Sequence, residues 1–401
     1  MNEWQRLDEQ YILPTVSRLP IAIERGEGNY LIDTDGNRYL DLFTGLAVNV
    51  LGHSHPAILR ALEEQGKKFL HISNLFLNPP AIRLARRLVE NSFPGKVYFA
   101  NSGAESTEAA IKLIHKWIRT EGKGKDGIVV LKNSFHGRTL GALRLTRQPS
   151  VYQDFPRLDF PIYEVEPNDV DELIRVCETK RPAAILVEPI LGAGGVLPLS
   201  GAFLETMGDI CRKQHILCCV DEIQTGMGRT GTLFAYQQTG LQPDLLLFAK
   251  GIGGGLPLGG IIAGHRLSHL FRPGDHGTTF APSPLSAALG NAVLDVLLEE
   301  GLLEKGRQAA EHLWNRLRAL KQKHPDVIRD IRGKGMMIGI HTKRSPEEIR
   351  RLMLDFLKEG ILVNVTARTV IRLLPPLTLT REEIDRFADA LDEYISARFS
   401  A

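Results

Sequence analysis

The sequence predicts an α/β protein with a large, mostly parallel sheet domain and a smaller α+β domain. Three observations predict it. At 401 residues the chain exceeds what a single hydrophobic core usually serves. Between residues 97 and 263, short apolar runs alternate with helical patterns. Most of those runs are apolar at every position, as in strands covered on both faces.

Taken in order, residues 28–40 read as a hairpin with Asp35-Gly36 in its turn. Strands are expected at 97–100, 127–131, 183–187, 216–220, 245–249 and 260–263. Asn101-Ser102-Gly103-Ala104, Phe135-His136-Gly137-Arg138, Glu188, Asp221 and Lys250 all lie just past the carboxyl end of a run. That edge of an open α/β sheet is where ligands bind. Beyond residue 300 come a long charged helix, strand-like 336–341, a helix over 346–358, strand-like 361–365 and 370–374, and a last helix to Arg398. The expected organisation is an N-terminal segment 1–44 packed with the small domain, a large domain 45–299, and a small domain 300–401.

Composition narrows the function. With 49 basic and 47 acidic side chains the net charge is +2, so nothing points to nucleic acid or an anionic membrane. No apolar run approaches the roughly 20 residues needed to span a bilayer, and the charged start Met1-Asn2-Glu3-Trp4-Gln5-Arg6 does not read as a signal peptide. Cys177, Cys211, Cys218 and Cys219 lack CxxC spacing and read as buried free thiols in a reducing compartment. The expectation is a cytoplasmic protein without a metal site, and His53 and His55 are assigned turn and capping roles.

Four features carry chemistry. The helix starting after Asn101-Ser102 opens with small residues, so Ser102, Gly103 and Ala104 could hold a phosphate on free amides at the helix start; a plain capped helix is the alternative. Asp221 ends an apolar strand, and a sheltered carboxylate needs a cationic partner, such as a protonated pyridine nitrogen or a metal, unless it serves as a cap. Lys250 ends another, where desolvation would free a neutral amine for carbonyl chemistry. Lys250 and Asp221 are 29 residues apart, about one strand-to-strand unit, so they could face one ring. Arg138 and Arg372 are either members of structural ion pairs or clamps for carboxylates. Gly226-Met227-Gly228-Arg229-Thr230-Gly231 matches a dinucleotide fingerprint, but no apolar helix or suitably spaced acid follows it.

Together these residues resemble the class III, pyridoxal-phosphate-dependent aminotransferases of fold type I, particularly the acetylornithine and ornithine aminotransferase branch. The resemblance covers nearly the whole chain. It runs through Leu51-Gly52-His53-Ser54-His55-Pro56, Asn101-Ser102-Gly103-Ala104-Glu105, Ser134-Phe135-His136-Gly137-Arg138-Thr139, Glu188-Pro189, Asp221-Glu222-Ile223-Gln224-Thr225-Gly226, Lys250 and His276-Gly277-Thr278-Thr279-Phe280. It implies that Lys250 bonds to pyridoxal phosphate and moves the reacting proton, and that Asp221 keeps the ring nitrogen protonated. Phe135 would stack on the ring, with Glu188 and Gln224 as supporting contacts. Ser102, Gly103 and Ala104 would bind the phosphate, and Thr279 would reach the cofactor phosphate of the other subunit in a homodimer. Arg138 and Arg372 would bind substrate carboxylates, with 2-oxoglutarate taking up the amino group of an N-acetylornithine- or ornithine-like ω-amino donor to give glutamate.

Two departures stand out. Ala193 occupies the place of a glutamate that, in those enzymes, pairs with the distal arginine, and it cannot neutralise Arg372. Gly192-Ala193-Gly194-Gly195 also resembles the ω-amine and diaminopelargonate transaminases, so a 4-aminobutyrate-type or other amine donor is the alternative, as is an aminomutase on the same scaffold. Ala281-Pro282-Ser283-Pro284 replaces the usual Gly-Gly-Asn-Pro.

Overall fold

A computed structural model describes residues 3–399. Its centre is a seven-stranded sheet in the order Gly95–Ala100, Gly259–Gly264, Leu245–Phe248, Leu217–Asp221, Ala184–Val187, Ile128–Leu131, Ile162–Val165. Only Gly259–Gly264 runs against the others. Alternate side chains of one strand enter opposite layers: Cys218 and Val220 join one buried cluster, Leu217 and Cys219 the other. Each fully buried leucine or valine of this kind contributes about 1.5–3 kcal/mol, which is why the strand sequences have no polar side to show. All four cysteines are free and buried.

The six strands expected between residues 97 and 263 all form, within a residue or two at their ends. Ile162–Val165 was not anticipated, because an edge strand with Tyr163 and Glu164 half-exposed or exposed lacks the apolar signature. The fingerprint-like glycine run at 226–231 forms turns and no helix, as its missing apolar pattern implied.

The N-terminal sheet contains Ile23–Glu27, Tyr30–Asp33 and Arg38–Asp41, and Ile361–Leu362 from the far end of the chain joins it in parallel beside Leu40 and Asp41. The 361–365 stretch is therefore not one strand. It divides at Val363, and Asn364–Thr366 enters a separate antiparallel sheet with Val370–Leu373, Met337–Thr342 and Ile328–Lys334. The helices Leu302–Lys323, Pro346–Lys358 and Arg381–Arg398 accompany it, the last two closed at their starts by capping boxes from Ser345 with Glu348 and from Thr380 with Glu383. No helix of the described residues is long and apolar enough to cross a membrane.

Candidate active site

A cavity of about 550 Å³ opens at the carboxyl edge of the central sheet. Its wall includes Ser102, Gly103, Ala104, Phe135, Arg138, Glu188, Asp221, Gln224 and Lys250, so nine of the eleven residues singled out in the sequence converge on one space. Arg372 and Thr279 are not part of the wall. Thr279 is exposed, outside the cavity of its own chain, although its neighbour Thr278 is tied to the start of the 103–120 helix by Asn101 Nδ2 donating to Oγ1 at 3.0 Å. Arg372 lies behind Gly192-Ala193: its Nη1 donates to the Gly192 carbonyl at 3.2 Å, and Ala193 faces the cavity.

Lys250 follows the fully buried run Leu245–Phe248 and takes a left-handed backbone, φ 52°. A side chain rarely adopts that conformation outside a constrained site. Its amine makes no hydrogen bond or ion pair among the described residues. Burial pushes it down to about 8; Asp221 and Glu188 oppose this and Arg372 and Arg229 reinforce it.

Asp221, 3% exposed, accepts from the backbone N–H of Ile223 at 3.0 Å and contacts His136 Nδ1 at 2.7 Å. His136 is buried, yet its pKa is raised: burial opposes the charged ring, and the hydrogen bond and charge of Asp221 outweigh it. Glu188 is also buried, which raises its pKa, and it accepts from the N–H groups of Phe135 at 2.9 Å and Gly192 at 3.2 Å. It thereby ties the Phe135 loop to the Gly192 turn. Sequence reasoning passed over His136 as a partner of Asp221; only its place in the Phe135-His136-Gly137-Arg138 turn hinted at it. Ile223 was missed as well: it reaches the cavity wall from the turn after the strand, where its N–H folds back onto the Asp221 carboxylate.

At the other end of the cavity Ser102 caps the helix Gly103–Thr120, its Oγ accepting from Glu105 N at 3.2 Å. The amides of Gly103 and Ala104 precede the first intrahelical acceptors and remain available to an anion. A Cβ on Gly137 (φ +135°) would come within 3.1 Å of Ala104, so the small residues keep this corner open. Arg138 is exposed, with its guanidinium carbon 5.5 Å from the Phe135 ring centroid and no carboxylate partner among the described residues. Of the two histidines, His55 takes the expected capping role, accepting from Ala57 N at 3.2 Å, whereas His53 pairs through Nε2 with Asp41 at 2.8 Å and bridges to Gly28. No cluster of metal-ligand residues exists among the described residues.

The model of the family described as aminotransferase class-III matches residues 11–395. The chain belongs to the class-III aminotransferases. It is 41% identical over 390 residues to the acetylornithine aminotransferase of Caldanaerobacter subterraneus, covering 97% of this chain and 98% of that one. To the acetylornithine aminotransferase of Aquifex aeolicus it is 41% identical over 386 residues, 96% of this chain and 100% of that one. Its fold matches the ornithine aminotransferase of Toxoplasma gondii with a TM-score of 0.93 at 28% identity, covering 98% of this chain and 94% of the other.

A class-III aminotransferase works with pyridoxal phosphate, and this cavity fits it. Gln224, on the wall beside Asp221, has a buried Oε1 acceptor without a hydrogen-bond partner among the described residues, a demand that a bound polar group would meet. The amine, the carboxylate, the flat face of Phe135 and the amides at the helix start supply what an aldehyde, a ring nitrogen, a ring face and a phosphate require.

Proposed function

We propose that this transaminase moves the terminal amino group of an N-acetylornithine- or ornithine-like ω-amino compound to 2-oxoglutarate, giving glutamate. The observation that carries the reading is a pair of arginines, Arg138 on the cavity wall and Arg372 behind Gly192-Ala193, neither with a carboxylate partner among the described residues. A dicarboxylic oxo acid supplies two anions for two cations. The 41% identity to acetylornithine aminotransferases supports the donor class.

Pyridoxal phosphate, when bound, supplies a carbonyl that takes up the amine and a ring that accepts the electrons of the deprotonated carbon. The rest is work for this chain. With its pKa near 8, roughly one Lys250 amine in ten is neutral at pH 7, against about one in three thousand for an ordinary lysine. Lys250 takes the proton from the reacting carbon of the substrate and returns it at the end of the exchange, in both half-reactions. Asp221, held by His136 and the Ile223 amide, keeps a proton on the ring nitrogen; Glu188 and Gln224 support that neighbourhood. Ser102, Gly103 and Ala104 bind the phosphate, and Phe135 covers one face of the ring.

The reading includes a homodimer in which Thr279 reaches the partner's phosphate. Leu75 (89% exposed), Leu77 (85%), Phe76 (68%) and Phe280 (66%) support it, since large apolar side chains this open call for a covering surface. It also divides the chain at residues 44/45 and 299/300, in keeping with the pairing of Ile361–Leu362 with the N-terminal sheet. A second reading, an ω-amine or 4-aminobutyrate-type donor, is favoured by one observation: Ala193, on the cavity wall in front of Arg372, brings no carboxylate to pair with it.

The test is a panel of N-acetylornithine, ornithine, 4-aminobutyrate and simple amines against 2-oxoglutarate and pyruvate. Glutamate formed in equal amount to the N-acetylornithine or ornithine consumed is expected. Faster turnover of 4-aminobutyrate would select the second reading, and no glutamate from any donor would overturn both.

A further inference from the structure

The antiparallel register sets Asn364 directly opposite Arg372. Asn364 Oδ1 accepts from both Nε, at 3.0 Å, and Nη2, at 2.6 Å, while Nη1 donates to the Gly192 carbonyl. A guanidinium has five N–H donors, and these three bonds leave two, as many as one carboxylate takes in a fork. Both acceptors are neutral. The neighbouring Glu188 is occupied by the amides of Phe135 and Gly192 and forms no ion pair with Arg372. Two residues on in the strand of Asn364, Thr366 donates to the Ala193 carbonyl at 2.8 Å, so the successive carbonyls of Gly192 and Ala193 are both held by the strand pair that carries Arg372.

The proposed reaction poses a counting problem. 2-Oxoglutarate brings two carboxylates and N-acetylornithine one, so in the donor half-reaction one arginine has no substrate anion. A buried guanidinium without acceptors is costly, whereas a permanent carboxylate partner would compete with the acceptor.

We propose that Asn364 is the positioning residue that solves this. Its neutral oxygen holds Arg372 in place when the donor brings no second carboxylate, and leaves the charge and two N–H groups for the second carboxylate of 2-oxoglutarate. The inference rests on the preceding reading that Arg372 receives a carboxylate.

The two half-reactions of the cofactor-loaded enzyme are measured separately by stopped flow, with N-acetylornithine as donor and 2-oxoglutarate as acceptor. Asn364→Asp has the same shape and adds a counter-ion. It is expected to raise the 2-oxoglutarate concentration for half-maximal rate by about tenfold or more, and to shift the ratio of half-reaction efficiencies toward the donor by a similar factor. Asn364→Ala removes the acceptor without adding charge, and is expected to shift the ratio the other way by about threefold or more. A residue that only supports the fold would depress both halves together. Proportional loss in Asn364→Asp, or an unchanged ratio, overturns the inference while leaving the reaction standing. A wild-type enzyme that does not process 2-oxoglutarate at all overturns the reading beneath it as well.

Discussion

Replacing Asp221 by asparagine changes a charge and almost no volume, at the point where the structure concentrates its electrostatics. Asp221 is 3% exposed, ends a strand whose every residue is buried, and has two fixed contacts, His136 Nδ1 at 2.7 Å and Ile223 N–H at 3.0 Å. Breaking a buried charge pair from one side costs about 3–5 kcal/mol. At 1.36 kcal/mol per factor of ten, Asp221→Asn is expected to slow transamination by about 10² to 10⁴ if the loss falls on the transition state. The variant also loses the anion that most opposes the depression of the Lys250 amine, so that amine moves further below about 8 and stays able to bond to the cofactor. The assay is single-turnover kinetics on enzyme whose cofactor content has been confirmed by absorbance. A rate within tenfold of wild type at full occupancy would refute the pairing of Asp221 with a protonated ring nitrogen.

Four further outcomes follow from the geometry. The rate at which cofactor-free protein takes up pyridoxal phosphate should rise about tenfold per pH unit below 8 and level off above, because only the neutral Lys250 amine reacts; a flat profile counts against the depressed value. The same depression has a sign for stability: between about 8 and 10.5 the unfolded chain holds a proton that the folded chain does not, so the cofactor-free protein should gain stability as pH rises through that window, checked by denaturant titration at several pH values. Gly192→Ala would set a Cβ 1.8 Å from Gln224 Oε1, and displacing that side chain should cost about 1–3 kcal/mol of stability and weaken cofactor binding, measured by thermal melts with and without cofactor; an unchanged pair of melts would contradict the role given to Gln224. Changing Leu75 and Leu77 together to aspartate should leave a monomer of low activity in sedimentation experiments, and an active dimer would remove the basis for the proposed interface.

Asp221, followed by a second carboxylate at Glu222, and Lys250 were legible in the sequence because each is the first charged residue after an apolar strand, and strands of that type run parallel with their ends on one edge. The phosphate corner was legible for a similar reason, as a run of small residues between a strand and an amphipathic helix. Long-range polar pairing was not. His136 lies 85 positions from Asp221, and nothing local marks a histidine in a turn as its partner. Asn364 became visible only once the register placed it across from Arg372. The sequence offered Arg372 either an ion pair or a carboxylate clamp, and its partners within the chain are the neutral oxygens of Asn364 and Gly192. The strand Ile328–Lys334 was missed because Arg329, Asp330 and Arg332 interrupt its apolar pattern, and the break at Val363 because two short strands of different sheets share one continuous apolar run.

The central claim is that the Lys250 amine and the Asp221 carboxylate grip opposite parts of one cofactor ring. Borohydride reduction of the cofactor-loaded enzyme followed by peptide mass mapping tests the first of those contacts most directly. The account predicts a phosphopyridoxyl group on Lys250, and finding it on another lysine, or on none, would contradict it.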